Sequence, residues 1–156
     1  MNNIIHAENT AVAAIEEVFK QAGWSDGWGL TDDEVRNAPS PLFYRNATSQ
    51  VAEKARPVVN GQAQSLYCIY NIAPTDPKYS SNHPYGFEVT ICLTFYYSDP
   101  FLFHEDSEAN PFISSLMHEL AERLWIITGE GEQPVPPTEN RQAYTNRKLV
   151  FVTNYF

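Results

Sequence analysis

Between Phe87 and Tyr97 apolar and polar residues alternate without a break: Phe87, Val89, Ile91, Leu93, Phe95 and Tyr97 against Glu88, Thr90, Cys92, Thr94 and Tyr96. A period of two puts the first set on one face of a strand and the second on the other. One apolar and one mixed face belong to an antiparallel sheet covered on one side only. Residues 65–72, SLYCIYNI, form a second strand pattern, with Leu66, Cys68, Tyr70 and Ile72 in phase. Residues 42–45 are short enough for a small strand, and 148–156, KLVFVTNYF, make a terminal one.

Two stretches carry the helical period instead. In residues 3–22, Ile4, Ala11, Ile15, Val18, Phe19 and Ala22 share one face. Gly23 follows where a left-handed residue ends a helix, and Trp24 is placed to fold back on the last turn. The second stretch opens at Asn110-Pro111, a helix N-cap followed by proline at the first helical position. Its stripe runs through Phe112, Ile113, Leu116, Met117, Leu120, Leu124 and Ile127, so the helix is predicted to continue to residue 128, with Gly129 closing it.

The remaining segments read as connections. Residues 23–30 form a glycine-rich loop. Thr31 and Glu34 make a capping box for a helix that Pro39 and Pro41 keep short. Residues 48–56 have a helical spacing that Pro57 ends, and Asn60-Gly61 signals a turn. Residues 73–86 hold three prolines and read as a long projecting loop between two antiparallel strands. Residues 130–146, with Pro134, Pro136 and Pro137, read as another. The expected architecture is one α+β domain over residues 1–156: an antiparallel sheet, two long helices packed on one face, and long projecting loops.

Length and composition fit this picture. A chain of 156 residues, 43% apolar and 13% aromatic, buries one real core and is not disordered. Its net charge of −9 opposes a phosphate-gripping groove and an anionic membrane surface. No apolar run approaches the roughly 20 residues of a membrane span. The first ten residues lack the basic and apolar regions of a signal peptide. Cys68 and Cys92 fall on opposite strand faces, which predicts free thiols.

Candidate chemistry is sparse. His118-Glu119 begins like a zinc-protease motif, but Glu122 stands where the second histidine belongs. The alternative is a solvated helix face with a Glu119–Arg123 ion pair. His104, Glu105, Asp106 and Glu108 lie before the same helix, where its dipole favours carboxylates without a metal. Trp24 and Trp28 could stack on a sugar, or anchor a glycine-rich loop to the core or to a neighbouring subunit. Asn46-Ala47-Thr48 is a glycosylation sequon only in a secreted chain. Both cysteines sit inside predicted strands, away from a helix N-terminus that would activate them. No phosphate loop, paired-cysteine zinc spacing or nucleophile elbow occurs. No catalytic, cofactor-binding or metal-binding residue is therefore expected, and no cofactor.

The two long loops and the wet strand face remain. A subunit reaching its neighbours has a use for such extensions. The expected contact residues are Tyr79, His83 and Tyr85 in the first loop, Pro134 and Pro136 in the second, and Thr90, Thr94 and Tyr96 on the strand face.

The order of these elements resembles the tail-terminator or tail-completion proteins of long-tailed bacteriophages. The matching parts are the helix over residues 3–22, the strands SLYCIYNI and FEVTICLTFYY with their extended connection, the helix over 110–128 and the terminal strand KLVFVTNYF. The likeness rests on order, size and texture, and residues 23–60 depart from it. It implies a non-enzymatic virion protein, made in the host cytoplasm and forming a homo-oligomeric ring, a hexamer, between tail tube and neck connector. DNA would pass through the lumen without specific binding, and no membrane would be involved. Head-completion and other neck proteins share part of the pattern. A small non-viral binding or immunity module is the alternative from another class.

Overall fold

The computed structural model describes residues 4–46, 66–80, 83–98, 111–139 and 143–155, with the backbone alone at 76, 78–80 and 83–85. The elements are α1 (Ile4–Gln21), β1 (Ser25–Asp26), α2 (Asp32–Arg36), β2 (Leu42–Arg45), β3 (Leu66–Ile72), β4 (Asp76–Ser80), β5 (His83–Tyr97), α3 (Pro111–Glu122), β6 (Ile126–Val135) and β7 (Tyr144–Tyr155). The predicted helix over 48–56, the Asn60-Gly61 turn and the Asn110 cap lie outside the described residues.

Seven strands form one sheet in the order β1-β2-β3-β5-β7-β6, with β4 paired to β5. The antiparallel pairing of β3 with β5 holds along its length, from Leu66 opposite Tyr97 to Ile72 opposite Ile91. The sheet as a whole is mixed, which corrects the antiparallel expectation: β1 runs parallel to β2, and β2 parallel to β3. Parallel neighbours need a connection of a dozen or more residues. Residues 27–41, which carry α2, and residues 46–65 provide that length.

The alternation in β5 divides the sheet as predicted. Phe87, Val89, Ile91, Leu93, Phe95 and Tyr97 are all buried. They form one core with Ala7, Ala11, Ile15, Val18 and Phe19 of α1, Ile113, Leu116 and Leu120 of α3, and Leu149 and Phe151 of β7. Both longer helices thus cover the same face. Each fully buried Ile, Leu or Phe contributes about 1.5–3 kcal/mol, so this row is the main stabiliser. A second cluster lies on the opposite face. There α2 and its flanks set Val35, Leu30 and Ala38 over Leu42, Tyr44, Tyr67 and Ile69. The predicted capping box is present: Glu34 N donates to Thr31 Oγ1 at 3.2 Å, and Thr31 N to Glu34 Oε1 at 3.3 Å.

The two longer helices end alike. At α1, Trp24 N donates to Phe19 O and Gly23 N to Lys20 O, with Gly23 at φ 92°. At α3, Trp125 N donates to Leu120 O and Leu124 N to Ala121 O, with Leu124 at φ 63°. Each pair of bonds is a Schellman ending, with a buried tryptophan folded back on the last turn. The second one overturns the sequence expectation. Helix α3 stops at Glu122, and residues 126–135 are strand β6. Leu124 and Ile127 therefore leave the helical stripe, and Gly129 is a strand residue opposite Val150.

Both long loops are also corrected. Residues 76–80 and 83–88 pair as a hairpin, so β5 begins at His83 and extends beyond the body of the sheet. Most of 130–146 belongs to β6 and the start of β7.

Candidate functional site

Strand β6 is the last strand of the sheet and is bonded, among the described residues, only to β7. A strand with one bonded edge presents a row of backbone donors and acceptors on the other. No residue of β6 is buried, so neither of its faces is covered. Its start gathers three of the five exposed large aliphatic side chains of the described residues, Leu124 at 74%, Ile126 at 64% and Ile127 at 50%; the other two, Ile4 and Ile5, open α1. Ile126 pairs with Val152 and Ile127 with Phe151, so the two isoleucines lie on opposite faces of the same edge.

Past this apolar start the edge changes character. The pairing register slips between Ile127 and Gly129, which marks a bulge at Thr128. Glu130 and Glu132 follow, both held by Arg147 of β7 at 2.7 and 2.9 Å. Two carboxylates on one guanidinium leave a net negative charge. Pro134 then removes a backbone donor. Bulge, charge and proline are the devices that keep an edge strand from pairing promiscuously. They occupy only the second part of β6 and leave Ile126 and Ile127 open.

Leu124 adds a second signal. A non-glycine residue in the left-handed region costs about 1–2 kcal/mol. Glycine fills the equivalent place at α1. The leucine side chain held there, with most of its surface in water, adds nothing to the core.

The expected contact residues are scattered by the structure. Tyr79 and His83 belong to the β4–β5 hairpin, opposite Pro84 and Ser80. The register shift there skips Tyr85. Thr90 and Thr94 lie half-buried on the sheet face away from α1 and α3, opposite Val152 and Lys148 of β7. Tyr96 is on the same face but is already engaged: its ring stacks on Tyr67 at 4.6 Å and 5°. It is one link in an aromatic row in which Trp28, Tyr44, Tyr67, Tyr96 and Tyr144 follow one another across four strands and the loop beyond β1. Pro134 and Pro136 do come together, lining an open apolar groove of about 540 Å³ with Ser98, Val135 and Tyr144.

Trp24 and Trp28 behave as anchors. Trp24 is buried, and its indole donates to Phe112 O at 3.1 Å, tying the end of α1 to the first turn of α3. Trp28 donates to Arg45 O at 3.0 Å and sets its edge on Tyr44. Tyr44 in turn needs Gly27: a Cβ there would lie 2.8 Å from the phenol oxygen and closer still to Cε1 and Cζ.

Burial governs the titratable groups of the core. It pushes the Cys68 thiol well above its ordinary range, the opposite of what a nucleophile needs. Cys68 lies in the main core and Cys92 on the opposite face, both as free thiols. Tyr44 is pushed up to about 12 by burial and then by the Asp26 charge. Tyr97 is pushed up to about 12 by burial and then by Glu132, with Arg147 acting the other way. Tyr70 is raised further, by burial and by its 2.8 Å hydrogen bond to Glu16.

The histidine–glutamate set on α3 forms no ligand cluster. His118 lies 3.9 Å from Glu122 on an exposed face, and Arg123 turns to Glu17 and Gln21 of α1 rather than to Glu119. His104 lies outside the described residues. Among the described residues, no three His, Cys, Asp or Glu come together as a metal would require. No described helix is long and apolar enough to cross a membrane.

Leu124, Ile126 and Ile127 are absent from the expected contact residues; the sequence places Leu124 and Ile127 in the helical stripe instead. One signal for them exists: Ile126, Ile127 and Thr128 are three consecutive β-branched residues, a strand preference inside a helical period. No known family model matches this chain, and no curated protein does.

Proposed function

We propose that this chain is a structural, non-catalytic subunit of a tailed-phage virion. In this reading it is a tail-terminator or tail-completion protein that forms a ring, hexameric by resemblance, between the tail tube and the neck connector. The observation that carries the assembly role is the open edge of β6 at Ile126–Ile127, with Leu124 exposed beside it. Exposed aliphatic side chains and unpaired backbone in one place cost a monomer solubility and give a subunit its contact. The order of helix, strand pair, helix and terminal strand supports the choice of family. The net charge of −9 suits a lumen through which DNA must slide without adhering.

Size-exclusion chromatography with light scattering tests the reading, at high protein concentration and with assembled tail tubes. A ring mass in either condition is expected. A chain that stays monomeric at every concentration and never associates with tail tubes refutes it.

One other reading has an observation behind it. Thr90, Cys92, Thr94, Val150 and Val152 leave part of the second sheet face half-open. A small binding or immunity module would use that face for a one-to-one complex. The same chromatography separates the two readings by stoichiometry.

A further inference from the structure

The ring reading leaves open which surfaces meet, and the sheet has three outer edges among the described residues. They are β1 at one side, β6 at the other, and β4, which flanks the extended part of β5 and pairs with nothing else described. Charge separates them. β6 itself carries Glu130 and Glu132 and no cation, the nearest counter-charges, Arg147 and Lys148, standing on β7. β1 carries Asp26 and is followed by the acidic first turn of α2. A second β6 or a β1 would bring like charge to this edge. β4 holds Asp76 and Lys78 and is neutral in sum.

Position agrees with charge. β4 lies on the β3 side of β5, and β6 lies beyond β7 on the other side. The open start of β6 sits level with Thr90 and Ile91 of β5, through Val152 and Phe151. β4 begins level with Glu88. The two free edges therefore flank the same end of one sheet, on opposite sides.

Resting on the ring reading, we infer that the β6 edge of one copy, at Ile126–Ile127 with Leu124 exposed beside it, receives the β4 edge of the next copy. The sheet then continues from subunit to subunit. The contact is head to tail, with different surfaces on its two sides, and such contacts close into rings or run on as filaments. Adding a strand to an edge supplies backbone hydrogen bonds, and the apolar pair Ile126 and Ile127 grips the added strand from both faces. A five-residue strand is small against the roughly 800 Å² per partner of a stable complex. Assembly accordingly requires high local concentration, such as the neck end of a tail tube would provide.

Cross-linking tests the assignment. Two chains are prepared in a Cys92→Ser background, one with Lys78→Cys and one with Ile126→Cys, the second carrying a mass tag. They are mixed in equal amounts at high concentration, with and without tail tubes, oxidised, and weighed by light scattering. The mixed dimer should exceed each same-variant dimer at least fivefold, and adding Ile127→Asp to the tagged chain should abolish that excess. Ring-sized particles without the mixed product overturn the edge assignment and leave the ring reading standing. Mixed product in open filaments keeps the edge assignment and overturns the ring. A predominant Ile126→Cys same-variant dimer shows symmetric β6 pairing and overturns the assignment. Monomers without any product overturn both.

Discussion

The loop between α1 and α2 offers a sharp test of the packing around Tyr44. Gly27 has an ordinary backbone conformation, so glycine is not required by its φ angle. It is required by Tyr44, whose buried ring occupies the space a Cβ would take. Two effects then compete in Gly27→Ala. Loss of unfolded-state freedom stabilises by about 0.4–1 kcal/mol. Displacing a ring packed among Val35, Leu42, Tyr67 and Ile69 costs about 1–3 kcal/mol. The clash wins, and the variant loses about 1–2 kcal/mol. With a urea m-value of about 2 kcal/mol/M, the midpoint falls by roughly 0.5–1 M. In a Tyr44→Leu background the ring atoms that clash are gone and only the unfolded-state effect remains. There Gly27→Ala should raise stability by about 0.4–1 kcal/mol, so the sign reverses. Urea titrations of the four proteins, followed by tryptophan fluorescence, give the coupling directly. An equal loss in both backgrounds refutes the reasoning, because the cost would then lie in the backbone and not in Tyr44.

Three further outcomes follow from the same structure. Tyr44 and Tyr97 hold their protons to about pH 12 when folded and release them near 10 when unfolded, so stability is intact below pH 10 and falls as pH rises towards 12. Together they remove on the order of 1–3 kcal/mol by pH 11, and urea midpoints that stay constant from pH 8 to 11 contradict this. Leu124→Gly should keep stability within about 1 kcal/mol of the parent or raise it, whereas Leu124→Val should lose more than about 1 kcal/mol, because a β-branched residue fits the left-handed region worst. Thermal melts in which glycine is the worse substitution refute the strain assigned to φ 63°. Arg147→Ala leaves Glu130 and Glu132 facing each other without a cation and should cost about 2 kcal/mol. A urea midpoint unchanged by that substitution shows the pair to be worth no more than an ordinary surface bridge.

What the sequence determined by itself was local and periodic. The alternation of residues 87–97, the face of α1 and the ending at Gly23-Trp24 each follow from neighbours a few residues apart. The helix of residues 32–36 follows in the same way, from Thr31 and Glu34. The direction of β2 was decided elsewhere, because parallel pairing joins segments whose sequences carry no mark of each other. The arms at 73–86 and 130–146 read as loops on their prolines. Residues 76–80, 83–86, 130–135 and 144–146 of these arms are strands because β5 and β7 had edges to pair with, and backbone hydrogen bonds to a distant strand outweigh a local breaker at an edge. The end of α3 is the clearest case. Leu124 and Ile127 fit the helical period, yet the chain turns at Leu124, buries Trp125 and lays Ile126 and Ile127 along β7. The gain is a run of β6–β7 pairing, which no window along the chain can register. That single tertiary choice moved two aliphatic residues out of the expected core stripe and onto the edge where the candidate contact lies.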